Sequence, residues 1–185
     1  MYSVSDAFLR AVRSNTRKYF WTGTIVTKGG MTYEFGAKEI VKGSGYISRQ
    51  CCGSTEIELG TVYAAEMGIA LLSDIDRYTL EDAQVTLVFH LVLADGSVED
   101  VPMGVFEVSE ANRLAKCLEL KAYDFMLRFD KSFNGFETVG TAYDFITLCC
   151  KRCKVELANK RAEIDAMPNG GVTLSVYTEN DIETC

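Results

Sequence analysis

The chain has 185 residues, 48% of them hydrophobic, and a formal net charge of −7. That length and apolar content exclude a disordered chain and allow a real core. The acidic balance argues against a nucleic-acid grip, which needs a basic face to displace counterions.

Taken in order, residues Val4 to Arg13 read as a first helix, capped by Ser3 or Ser5, with Ala7, Phe8, Ala11 and Val12 on one face. Lys18 to Thr27 reads as a strand, Lys28-Gly29-Gly30-Met31 as a hairpin turn, and Thr32 to Phe35 as the returning strand. Glu39 to Gln50 is extended and broken by Gly43 and Gly45. Ser54 to Gly60 alternates as a strand, Thr61 to Glu66 is a turn, and Met67 to Leu72 is a further strand. Asp74 to Asp82 is a polar loop. Ala83 to Leu93 sets Val85, Leu87, Phe89 and Leu91 on one face, and Ala94-Asp95-Gly96-Ser97 closes a hairpin through Asp-Gly.

Pro102 to Phe133 reads as the centre of the chain. Val105 to Val108 forms a strand, Ala111-Asn112 a polar turn, and Cys117 to Ala122 a second strand. Asp124 then caps a short helix from Phe125 to Phe129. From Thr141 to about Cys153, Ala142, Phe145, Ile146, Cys149, Cys150 and Cys153 recur at helical spacing as one apolar stripe. Val155-Glu156-Leu157 reads as a short strand, Pro168 to Gly171 as a turn, and Val172 to Tyr177 as a last strand. The expected fold is therefore β-rich α+β. An antiparallel barrel or sandwich with an N-terminal helix occupies residues 1–122, and a small α/β portion occupies 123–185.

No apolar run approaches the roughly 20 residues of a membrane span. The N-terminus lacks the apolar centre of a signal peptide, so synthesis in the cytoplasm is expected. The seven cysteines, Cys51, Cys52, Cys117, Cys149, Cys150, Cys153 and Cys185, are odd in number and irregular in spacing. Reduced thiols are expected. Cys150-Lys-Arg-Cys153 lacks a matching second pair for zinc, and its cysteines fall on the apolar stripe, where they serve as small hydrophobes. His90 lies in a strand pattern with no serine or cysteine in a nucleophile context nearby. Glu56, Glu58, Glu99, Asp100 and Glu107 are scattered over strands, and Gly43-Ser44-Gly45 lacks the lysine and helix of a phosphate loop. Tyr19, Phe20 and Trp21 could form a ligand platform, but a core or subunit interface is the better reading. No catalytic, cofactor-binding or metal-binding residue is assigned, and no enzymatic activity is expected.

Four stretches resemble the N-terminal part of phage tail hub proteins. They are Ser54 to Met67, Pro102-Met-Gly-Val-Phe-Glu-Val108, Leu118 to Met126 with Phe129 to Phe133, and the helix Thr141 to Lys154 leading into Val155-Glu-Leu157. These are the tail-associated lysin or prophage tail endopeptidase proteins, similar in fold to the baseplate hub of contractile tails. The resemblance implies small β-barrel-like domains with an α/β portion. It also implies a ring, usually a trimer, in the virion tail tip. That ring lies between the tail tube or distal tail protein and the tip, with DNA passing through unbound. It further implies that the chain is an N-terminal fragment whose lysin activity, if any, sits in distal domains. The alternatives are a receptor- or carbohydrate-binding module of a tail, or a fragment of a peptidoglycan hydrolase.

Overall fold

The computed structural model describes residues 2–50, 63–131 and 138–176. The expected strand Ser54 to Gly60, Cys51, Cys52, Phe133 and Cys185 lie outside these. The chain divides into two compact units, Met1–Leu127 and Arg128–Cys185.

The first unit opens with helix α1 (Asp6–Val12), whose Ser5 Oγ accepts from the Phe8 amide at 3.0 Å. Seven strands follow: β1 (Lys18–Val26), β2 (Thr32–Phe35), β3 (Tyr46–Ser48), β4 (Glu66–Leu72), β5 (Gln84–Val92), β6 (Val98–Leu114) and β7 (Cys117–Tyr123). They form one antiparallel sheet in the order β2-β1-β5-β6-β7-β4-β3. Alternation decides the inward face: Val85, Leu87 and Leu91 of β5 are buried, as are Leu118, Leu120 and Ala122 of β7. Ile25 and Phe35 from one end of the strand order share a single cluster with Met67, Ile69 and Leu71 near the other end. Such a cluster requires the sheet to curl around its own core. Among the described residues no ladder joins β2 to β3, so the curl is not a closed barrel.

Glycine permits the closest approach in that core. A Cβ on Gly23 would collide with the Phe35 ring and crowd the Thr86 carbonyl oxygen, so the ring occupies the space that glycine leaves on β1. β5 and β6 slip register between Leu87 and Val88, where Gly104 (φ +119°) faces Leu87 and Pro102 faces Val88. This bulge accommodates a proline that would interrupt a regular ladder and places a positive φ on glycine.

Three expectations are corrected. β6 does not turn at Ala111-Asn112. Those residues pair with Leu120 and Glu119, and the reversal comes at Ala115-Lys116, with Ala115 at φ +53°. The polar residues there belong to a strand with one solvent-facing side. The Arg113 guanidinium extends the hold on β6 by donating to the Ser73 carbonyl at 2.8 Å and to that of Ile75. Asp74 to Asp82 is not all loop, because Arg77–Leu80 forms a 3-10 helix that buries Leu80. The short helix expected after Asp124 is present as the 3-10 helix Phe125–Phe129, and Asp124 caps it as expected: Oδ1 accepts from the Met126 amide at 3.1 Å.

The third correction lies in the second unit, where Val155 to Leu157 is not a strand. Helix α2 (Ala142–Cys153) ends at Lys154 in the left-handed conformation, and the Val155 amide closes on the Cys150 carbonyl at 2.9 Å. Helix α3 (Arg161–Asp165) and strand β8 (Thr138–Gly140) went unread in the sequence. β8 pairs with β9 (Leu174–Val176), which lies inside the expected last strand.

Candidate functional site

β2 accompanies β1 only over Gly23–Val26. At Gly36 the chain turns, with the Gly36 amide donating to the Glu39 carboxylate at 2.9 Å and its carbonyl accepting from Ile40 at 3.0 Å. It then crosses to β4, where Val41 donates to Ala70 at 2.9 Å and Leu72 donates to Glu39 at 2.7 Å. Ser44 fastens the crossing: its hydroxyl donates to Val41 at 2.7 Å and accepts from the Ala70 amide at 3.1 Å. Gly43-Ser44-Gly45 thus serves as a backbone clamp.

Between the departing chain and the first half of β1 lies a cleft of about 540 Å³. Leu87 and Ile69 contribute from the core, and Trp21, Ile40 and Tyr46 also line it. Arg17, Lys18 and Lys42 complete the lining, and all three are exposed. Tyr46 is fixed by two neighbours. Its ring lies over Gly68, where any Cβ would collide with it, and its hydroxyl donates to Glu66 Oε1 at 2.6 Å. Lys121 Nζ stands 3.3 Å from the other oxygen of Glu66. The hydrogen bond to Glu66 pushes the Tyr46 phenol up, and the same bond holds the Glu66 carboxyl below its usual range.

Tyr19, Phe20 and Trp21, for which a core or subunit interface is the better reading from sequence, all line this cleft but pack against different neighbours. Tyr19 and Trp21 both pack on Phe89, with ring centroids 5.5 and 5.2 Å away, and Phe8 of α1 meets Phe89 edge-on at 6.4 Å. Phe20, on the opposite face of the strand, stacks on the His90 imidazole at 4.5 Å.

His90 has partners that the sequence did not bring together. Its Nδ1 lies 2.5 Å from Asp100 Oδ1 on β6, and its Nε2 lies 2.7 Å from Thr22 Oγ1 on β1. Pairing of His90 with both Phe20 and Asp100 places these three strands side by side. The order carboxylate, imidazole, hydroxyl is that of a nucleophile and its base. However, acyl transfer also needs converging N–H donors for the oxyanion, and Thr22 sits within a strand ladder facing Val88. The line is best understood as a polar pin across β1, β5 and β6.

Of the other residues singled out, Glu99 accepts from the Ser5 amide at 2.8 Å and from its hydroxyl at 2.5 Å, tying α1 to the sheet. Cys150 and Cys153 are buried, and burial pushes the Cys150 thiol up. Cys117 and Cys149 are half-buried. Among the described residues no three histidine, cysteine or acidic side chains converge as a metal site. Also among them, no helix is long and apolar enough to cross a membrane.

No protein-family model matches this sequence, and no curated protein does. Among solved structures, the chain is similar to one from the virion of a native gene transfer agent particle, with a TM-score of 0.45 and 13% identity. The likeness covers 90% of this chain and 56% of that one, so this chain spans little more than half of its neighbour's length.

Proposed function

We propose that this protein is a structural subunit of a phage or prophage tail tip or baseplate hub. In this reading it forms a ring, in the virion a trimer, that joins the tail tube or distal tail protein to the tip. Passing DNA threads the ring without specific binding. The observation that supports it is where the hub-like segments fall. Pro102 to Val108 and Leu118 to Tyr123 lie in the adjacent strands β6 and β7, with Val108 opposite Ala122, at the centre of the seven-stranded sheet. A ring is the closed outcome of a heterologous interface whose rotation closes. The role is scaffolding, carried by the sheet. Antibodies against this chain should label purified tail particles at the tip, and native mass spectrometry of tail-tip complexes should show it in a closed oligomer. Particles that lack the chain would overturn the reading.

A further inference from the structure

We propose that the cleft beside β1 is a peptide-binding site that takes an extended acidic segment of a partner protein as an added strand. The inference stands apart from the virion role, since it uses only the edge of β1 and the charges around it.

β1 pairs with β5 along its whole length, but with β2 only over Gly23–Val26. In an antiparallel strand, alternate residues point their N–H and C=O groups to opposite sides. Among the described residues, the side of Lys18–Thr22 away from β5 therefore carries unspent backbone donors and acceptors. Among the described residues, no loop or turn hydrogen bond uses them. Chain that would have covered this edge has instead crossed to β4 through Val41 and Leu72. The result is an open lane in line with β2, roughly 16 Å long at about 3.3 Å per residue.

An open lane of this kind suits strand addition, in which main-chain hydrogen bonds supply affinity and side-chain pockets supply specificity. Ile40 and Trp21, both half-buried at the cleft, offer apolar surface to an incoming strand, over a floor closed by the buried Ile69 and Leu87. The charge of that strand follows from the rim. Between Asp6 and Glu34 no acid occurs, while Arg10, Arg13, Arg17, Lys18 and Lys28 do, in a chain whose net charge is −7. Arg17, Lys18 and Lys42 line the cleft, and neither lysine has an ion-pair partner among the described residues. A local cationic rim attracts an acidic partner and repels a basic one. Two observations favour a peptide over a nucleic acid. The molecule as a whole carries a net charge of −7, which repels a long phosphate backbone beyond the few cations of the rim. The backbone edge, moreover, alternates donors and acceptors at strand spacing, which an added strand matches and a phosphate backbone, with acceptors only, does not.

Trp21 is the single tryptophan of the chain and lines this cleft, so its fluorescence reports on it directly. The probe is a blocked peptide of about eight residues alternating glutamate and valine, a normal strand length. Controls are the lysine–valine counterpart and a glutamate–valine peptide with proline at its two central positions. With the full chain, the first peptide is expected to change Trp21 fluorescence saturably, to protect amides within Lys18–Thr22 from hydrogen exchange, and to bind more weakly at raised salt. The proline peptide should bind at least about tenfold more weakly, because it cannot complete the ladder. Lys18→Glu/Lys42→Glu should lose the acidic peptide and gain the lysine–valine one. That gain of binding shows that the variant is folded, and Lys42→Gln provides a milder check. The proposal is overturned by any of four results. These are no saturable response, equal binding of the proline peptide, tighter binding of a single-stranded oligodeoxynucleotide at Trp21, or self-association that shields Trp21 without added peptide.

Discussion

Asp124 shows how a single side chain can be judged from its neighbours in sequence. Its carboxylate accepts from the Met126 amide at 3.1 Å, and its own amide donates to the Ala65 carbonyl at 2.9 Å. Asp124→Ala should lower unfolding free energy by about 1 kcal/mol, read from the midpoint of a denaturant curve. An unchanged midpoint would show that water serves the amide equally well. Gly23 makes a stronger demand, because the Phe35 ring occupies the space of its missing Cβ. Gly23→Ala should cost about 1–3 kcal/mol, as overpacking does elsewhere, and Phe35→Leu in the same chain should recover part of it. The cap was legible because capping is local chemistry. The line Thr22–His90–Asp100 was not, because it is assembled from three strands whose register no short stretch encodes.

Hairpins with glycine at a positive φ were readable as elements. Gly30 (φ +84°) and Gly96 (φ +86°) sit in the turns that the sequence predicts. The reversal after β6 was not readable, since Ala115 takes the left-handed conformation there without a glycine to announce it. Helix α3 was missed for a related reason: it spans only Arg161–Asp165 and carries one buried residue, Ile164, too few for a periodic stripe. The bulge in β6 gives a direct test. Gly104→Val should cost about 1–3 kcal/mol, since a β-branched residue does not accept φ +119°. Helix α2 gives a pH test. Asp144 accepts from the Thr141 amide at 2.8 Å and its hydroxyl at 2.9 Å, and Arg161 pairs with it. The Thr141 amide, then the hydroxyl, then Arg161 hold its carboxyl below the ordinary range. Its folded value is depressed, so its contribution to stability is full above the unfolded value of about 3.9 and disappears as pH falls through the lower folded value. Circular dichroism below pH 4 should show earlier loss of helix in wild type than in neutral conditions, and Asp144→Asn should flatten that dependence. An identical acid profile in the variant would remove Asp144 from the account.

Charge is distributed unevenly over the whole molecule. The cations of residues 7–33 leave the acids to the remainder of the chain, so a ring would not present one uniform field. If the ring surrounds DNA, Asp and Glu should outnumber Lys and Arg on its inner wall, where carboxylates repel phosphates over about a Debye length, roughly 8 Å. Retention of the chain on a DNA column at low salt, released by added salt, would refute that arrangement. A different consequence follows from β6. Its first half pairs with β5 and its second half with β7, each through a tight turn, whereas the β1–β2 hairpin joins β5, and β4 joins β7, only across long stretches of sequence, as Lys18 meets Val92 and Leu72 meets Cys117. Closing short loops costs less entropy than closing long ones, so the β5–β6–β7 meander is where three strands join at least cost and where folding is expected to begin. Substitutions in Phe106 should then slow folding, while those in Ile25 and Met67 should chiefly hasten unfolding, so the longest strand would act as the clock of the chain as well as its beam.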